Sequence, residues 1–249
     1  MFSYQLYSSR NFPPLARVLA MLAKEGYDGA EGFDGIYADA AGLLELAEGL
    51  HATGLAMPSG HFSLEQVEDA PNWVLKVAKA LGMETVVVPW LEPDQRPNDA
   101  SGWRALGARL QVAGAPIRAE GLNFAWHNHD FEFVPTAEGV IPQEALFEGG
   151  PGLSWEMDVA WLIKGGEDPL EWIAAHGHRL VAAHVKDIAA LGENLDEDGW
   201  ADVGHGVVDW KGIMAALRAV GVSSFIMGHD NPSDDARFAR RALASARGY

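Results

Sequence analysis

The chain is 249 residues long, 48% hydrophobic and 21% charged, which is enough apolar material for a substantial core at a length that one α/β barrel routinely fills. Its 35 Asp and Glu against 18 Lys and Arg give a net charge of −17, which repels a phosphate backbone and argues against nucleic acid as a partner. There is no cysteine, so disulfides, thiolate metal sites and a cysteine nucleophile are excluded.

The opening segment, MFSYQLYSSRNFPP, has neither the basic start nor the apolar run of a signal peptide, and no stretch approaches the roughly 18 apolar residues of a spanning helix. A cytoplasmic protein without a membrane partner is the expectation. Along the chain, short β-rich runs are predicted at 2–7, 29–33, 55–60, 85–90, 122–127, 153–158, 180–186 and 223–228. Helical periodicity fills the gaps, at 15–25, 41–51, 72–81, 101–120, 169–175 and 211–220. Several of these helices run into a glycine that reads as a C-cap, at Gly26, Gly54, Gly82, Gly121 and Gly221. Eight apolar strands, each tied to a helix, favour a parallel sheet closed into a (β/α)8 TIM barrel, a single domain over 1–249. A doubly wound open sheet is the competitor, but no strand leads into a GxGxxG or Walker-type loop. The longest departures from the rhythm, 130–152 and 188–209, both follow strands and should wall or cover the catalytic mouth.

Polar residues of ligand type gather at the carboxyl ends of these strands, which a barrel brings to one mouth. In WHNHDFEF (126–133), His127 and His129 share a face of an extended segment and Glu132 lies just beyond. Two imidazoles and a carboxylate suit a divalent ion such as Mn²⁺, Zn²⁺ or Co²⁺, or contact with substrate. In WEMDVAW (155–161), Glu156 and Asp158 point the same way from an apolar strand, where an unpartnered carboxylate costs several kcal/mol, and a metal at Asp158 is favoured over a buried salt bridge. His184, at the end of an equally apolar strand, is a plausible imidazole ligand beside it. Lys186 either neutralises a substrate oxyanion or pairs with Asp187. The glycines of DVGHGVVDW (202–210) either let backbone approach a ligand, with His205 as a contact, or serve a turn, with Asp209 as a helix N-cap. Glu31 and His61 either face the pocket, as substrate-binding groups or as supports for the ligands, or serve a cap or a salt bridge. Trp90, Trp126, Trp155 and Trp161 stack against a sugar face or pack in the core.

At these motifs, from QLYS (5–8) and GYDGAEGF (26–33) through WHNHDFEF, WEMDVAWL, AHVKD and DVGHGVVDW to HDNPSD (229–234), the chain resembles the sugar phosphate isomerase/epimerase family. That family belongs to the xylose isomerase-like TIM barrels, which also contain tagatose epimerases, inosose dehydratase and apurinic endonuclease IV. The resemblance covers nearly the whole chain. It implies one divalent cation (Mn, Zn, Co or Mg) held by Asp158 and His184, with Glu132, or failing that His127 or His129, as the first ligand. Gly228 stands where relatives carry a last Glu ligand that also moves protons.

The expected function is a metal-dependent isomerase or epimerase, or a related dehydratase or lyase, acting on a sugar or polyol through proton transfer next to a carbonyl. Glu132, Glu156 and Lys186 are the catalytic candidates. Glu31, His61, His127, His129, His205 and His229 are the substrate-binding candidates, the histidines at 127, 129 and 229 doubling as acid/base groups. The alternative, motivated by Gly228, is a catalytically impaired sugar-binding barrel or non-catalytic subunit. A repair endonuclease conflicts with the charge of −17. The sequence leaves a homo-oligomer open.

Overall fold

In the computed structural model, which describes residues 1–249, eight strands pair in parallel around a closed ring. They are β1 (Phe2–Gln5), β2 (Gly29–Gly32), β3 (Ala56–His61), β4 (Thr85–Val88), β5 (Asn123–His127), β6 (Ser154–Asp158), β7 (Leu180–Val185) and β8 (Phe225–Met227). Each strand neighbours the next in sequence, and β1 pairs with both β2 and β8, which closes the barrel. Strands covered on both faces need apolar residues on both, which is why Thr85-Val86-Val87-Val88 is buried throughout. The helices outside are amphipathic: Leu15–Glu25 turns Val18, Leu19 and Leu22 to the barrel at helical spacing. The five anticipated cap glycines all have positive φ, from +71° to +95°, a conformation in which a β-carbon is strained.

Several predicted strands ran past the ladder, because Leu6, Pro89, Trp90, Lys186 and Gly228 have already turned over the mouth. The predicted helix 101–120 is two, Ala100–Ala113 and Ala115–Ala119, with Pro116 opening the second. Helices Leu64–Asp69, Pro142–Gly149, Val159–Lys164 and Asp235–Gly248 were not anticipated; three of them are too short for their period to stand out. Pro142–Gly149 lies inside the 130–152 departure and supplies the outer layer of that unit. It crosses Ala100–Ala113 backbone to backbone: a β-carbon on Gly107 would lie 2.0 Å from the Leu146 carbonyl oxygen.

The 188–209 departure holds a two-stranded antiparallel ribbon, Asp187–Ile188 with Trp200–Ala201. Its glycine-rich end wraps a carboxylate of the chain itself: Gly204, Gly206 and Val208 donate backbone N–H to Asp187 at 2.8, 3.2 and 3.1 Å. Asp209 then caps helix Trp210–Ala219 through Gly212 N. Glu197 and Asp202 pin this wall to Arg237 of the last helix at 2.8 and 2.9 Å.

Candidate active site

The strand ends meet at the floor of a cavity of about 680 Å³, where His61, His127, Asp158, His184, Lys186 and Gly228 line the wall. Register places them. His127 on β5 sits opposite Glu156 on β6, and Asp158 on β6 opposite His184 on β7. Since side chains alternate along a strand, Glu156 and Asp158 project the same way at different heights.

Below the floor, Glu156 Oε2 lies 2.7 Å from His61 Nε2, 3.1 Å from His127 Nδ1 and 3.3 Å from His184 Nε2. Glu31 Oε1 lies 2.7 Å from His184 Nε2 and accepts from Gln5 Nε2 at 2.6 Å, while Ser59 donates to the other oxygen. Both carboxylates are fully buried. Burial alone would raise Glu31, but His61 and His184 outweigh it and hold its pKa well below the usual carboxylate range. Burial and Glu31 likewise push Glu156 up, and His184 and His61 bring it down to about 2. The imidazoles answer in kind. Burial lowers His61, yet Glu31 and Glu156 raise it to about 9. His127, lowered by burial and by His184, stays neutral.

Above the floor the same rings present their other nitrogens. His127 Nε2 is 3.8 Å and His184 Nδ1 3.9 Å from Asp158 Oδ2. That oxygen is buried and has no hydrogen-bond partner; the Lys186 ammonium pairs with it at 3.6 Å, so the buried salt bridge weighed against a metal is present, with a hydrogen-bonding position on the oxygen left over. Asp158 is otherwise fixed: its Oδ1 accepts from Trp161 N, and Asn128 clamps its backbone N–H and C=O, each at 3.0 Å. Tetrahedral bonds of about 2.1 Å place ligand atoms roughly 3.4 Å apart, so His127, Asp158 and His184 fit a divalent ion after shifts of a few tenths of an ångström. The lower group, His61, His127, Glu156 and His184, is also of metal-ligating type; its 2.7 and 3.1 Å contacts around Glu156 Oε2 are made without an ion, and Glu156 Oε1 has no partner. A carboxylate behind the ring, fixing which nitrogen faces outward, is the usual support for an imidazole ligand.

The other expected residues are distributed as follows. Glu132, expected as the first ligand, turns its carboxylate back into the protein: Trp126 Nε1 donates to it at 3.1 Å and His129 N at 2.9 Å. Glu132 neither lines the cavity nor belongs to the imidazole and carboxylate cluster, and burial raises its pKa to about 8. The 3₁₀ turn Phe131–Phe133 aims it away. Glu156 is shielded from the cavity by the rings it supports. His205 is exposed on the glycine-rich turn and does not line the cavity. His129 and His229 do line it; His129 Nδ1 has no partner, and burial brings His229 down to about 4. Lys186 pairs with Asp230, not Asp187, through both carboxylate oxygens at 2.8 and 2.7 Å. Trp90, 40% exposed, and Trp161 face the cavity, whereas Trp126 and Trp155 are core. Gln5, Ser59, Asn128 and Asp230 were not singled out from the sequence; Gln5, Asn128 and Asp230 stand inside quoted motifs, while Ser59 carries no local signal.

No curated protein matches the chain significantly in sequence. Among solved structures, a sugar phosphate isomerase/epimerase from Parabacteroides distasonis superposes with a TM-score of 0.81 at 18% identity, covering 98% of this chain and 93% of that one. A structure of the IOLI protein with a binding zinc atom gives 0.71 at 16%, covering 99% and 95%. A 3-keto-D-glucoside 4-epimerase from E. coli gives 0.70 at 17%, covering 100% and 99%. The sequence model of the xylose isomerase-like TIM barrel family matches residues 19–247, and with the closed eight-stranded parallel barrel this establishes that the chain belongs to that family.

Proposed function

We propose that the protein is a divalent-metal-dependent enzyme of the isomerase/epimerase type, acting on a small sugar or polyol at the carbon next to a carbonyl. The observation that carries this reading is the buried Asp158 Oδ2, which accepts no hydrogen bond and lies 3.8 and 3.9 Å from two imidazole nitrogens, at the floor of a cavity with room for a sugar. His127, Asp158 and His184 hold the ion. When bound, it supplies Lewis-acid polarisation of a carbonyl and its neighbouring hydroxyl. His129, which lines the cavity and is kept neutral by burial, takes the α-proton. Lys186 holds the oxygen on which charge develops, and His61, backed by Glu31 and Glu156, returns a proton. Glu156 is a positioning residue in this scheme, since its reactive oxygen is spent on three rings.

The test is exchange of solvent deuterium into a panel of ketoses and keto-sugars, followed by NMR, with protein loaded with Mn²⁺, Zn²⁺, Co²⁺ or Mg²⁺. Exchange is expected with at least one sugar, to vanish on chelation and in His184→Ala. Failure to retain any of these ions near one equivalent would sink the reading. The second reading, a barrel that binds sugar without turning it over, draws on Gly228 beside His184. It predicts metal and sugar binding with no exchange.

A further inference from the structure

Gly228 is packed against the candidate metal ligands. A β-carbon there would lie 3.4 Å from His184 Nδ1, the nitrogen that faces Asp158, and 3.2 and 3.4 Å from Cγ and Cδ of Lys186. A side chain at 228 would therefore start out pressed against the lysine stem. Lys186 is 2% exposed, and a buried ammonium needs strong compensation. Asp230 receives two of its hydrogens, and the indoles of Trp200 and Trp161 lie 4.1 and 4.8 Å from Nζ, a favourable setting for a cation. An ammonium has three donors. The third is unspent: Asp158 Oδ2, at 3.6 Å, is beyond hydrogen-bond range.

We propose that Gly228 and Lys186 together form an oxyanion seat beside the His127, Asp158 and His184 set. Its ligand is a small chelating oxyanion, a carboxylate or an enediolate with a second oxygen adjacent, which brings the negative charge that no side chain at 228 provides. Glycine leaves the lysine stem where it is, since a β-carbon at 228 would make it give by a few tenths of an ångström. Glu31 and Glu156 do not fill the seat, because both lie behind the rings and are hydrogen-bonded to them. This selects substrates that are acidic at, or ionise at, the oxygen next to the carbonyl, over neutral polyols. The inference rests on the metal reading above.

Cobalt and oxalate test it without a substrate. Co²⁺ is titrated into chelator-stripped protein and followed by its d–d absorption; oxalate, or glycerol as a neutral diol, is then added. Oxalate is expected to shift the spectrum saturably, and glycerol to leave it unchanged. Lys186→Met should keep Co²⁺ binding but weaken oxalate about tenfold or more, as expected for a lost hydrogen bond between charged groups. Gly228→Glu should abolish the oxalate response by supplying a carboxylate of its own. Equal oxalate affinity in wild type and Lys186→Met overturns the seat, as does a spectrum indifferent to oxalate with Co²⁺ in place; both leave the metal reading standing. Failure of wild type to bind Co²⁺ overturns the metal reading and the seat with it. If Lys186→Met does not fold by circular dichroism, the oxalate-against-glycerol contrast in wild type and its fate in Gly228→Glu decide the matter.

Discussion

Ionisation of Glu132 should weaken the fold as pH rises from 5 to 8. Burial raises its pKa from the ordinary 4.5 to about 8, outweighing the His129 and Trp126 donors and the Arg96 charge that lower it, because charge on a carboxylate away from water is disfavoured. Below about pH 4.5 both native and unfolded chains carry the proton and this group adds no slope. Between 4.5 and 8 the unfolded chain has lost it while the native chain keeps it, so stability falls with rising pH, and above about 8 the effect is complete. A gap of about 3.5 at roughly 1.4 kcal/mol per pH unit comes to about 5 kcal/mol, against a total stability of about 5–15 kcal/mol for an ordinary domain. Other groups slope the opposite way: Glu31 and Glu156, held low, lose their contribution as pH falls below about 4.5. The comparison must therefore be with Glu132→Gln, which cannot ionise. Its amide NH₂ meets the donor at Trp126 Nε1 or His129 N, so at pH 5 the variant should be less stable than wild type. In urea unfolding followed by tryptophan fluorescence at pH 5, 6, 7 and 8, the variant should gain on wild type by about 3–5 kcal/mol across the series. Saturating Zn²⁺ should leave that gain unchanged. Parallel profiles would refute the buried-carboxyl argument, and a gain erased by Zn²⁺ would mean that Glu132 ligates the ion after all.

Asp158→Ala should abolish divalent-metal binding in calorimetry, whereas Glu156→Gln, which only loosens the support of three rings, should weaken it about 10–100-fold. A metal at 100 times its Kd should stabilise the protein by about 2.7 kcal/mol, a rise in Tm of about 5–10 °C by scanning calorimetry for a chain of this size, reversed by chelator. Gly228→Glu should tighten metal binding about tenfold by adding an anionic ligand beside His184; unchanged affinity in a folded variant would place residue 228 away from the ion. Gly107→Ala should destabilise by about 1–3 kcal/mol or more, read by urea unfolding, because its β-carbon would meet a backbone oxygen that cannot yield alone.

The barrel was legible in the sequence because its signals are local. Two-residue alternation and the apolar runs mark strands, glycine at a positive φ marks where five of the helices stop, and eight such units allow few other closures. The residues at strand ends followed for the same reason: strand spacing alone puts Glu156 with Asp158 on one face, and parallel strands open at one mouth, so His127, Asp158, His184 and Lys186 meet there. What a polar side chain does after it leaves the strand was not legible. Glu132 lies four residues beyond β5's neighbour Asn128 in a tight turn that swings it back under Trp126, and no pattern in WHNHDFEF distinguishes that from a turn into the cavity. The glycines of 204–206 close on Asp187 rather than on a ligand, a choice made by the ribbon that follows β7. Glu31 and His184 are 153 residues apart, and their contact fixes which imidazole nitrogen faces outward. Only the closed barrel sets that contact, because the rings on β3, β5 and β7 take their orienting partners from β2 and β6, and sequence spacing records partners along one strand.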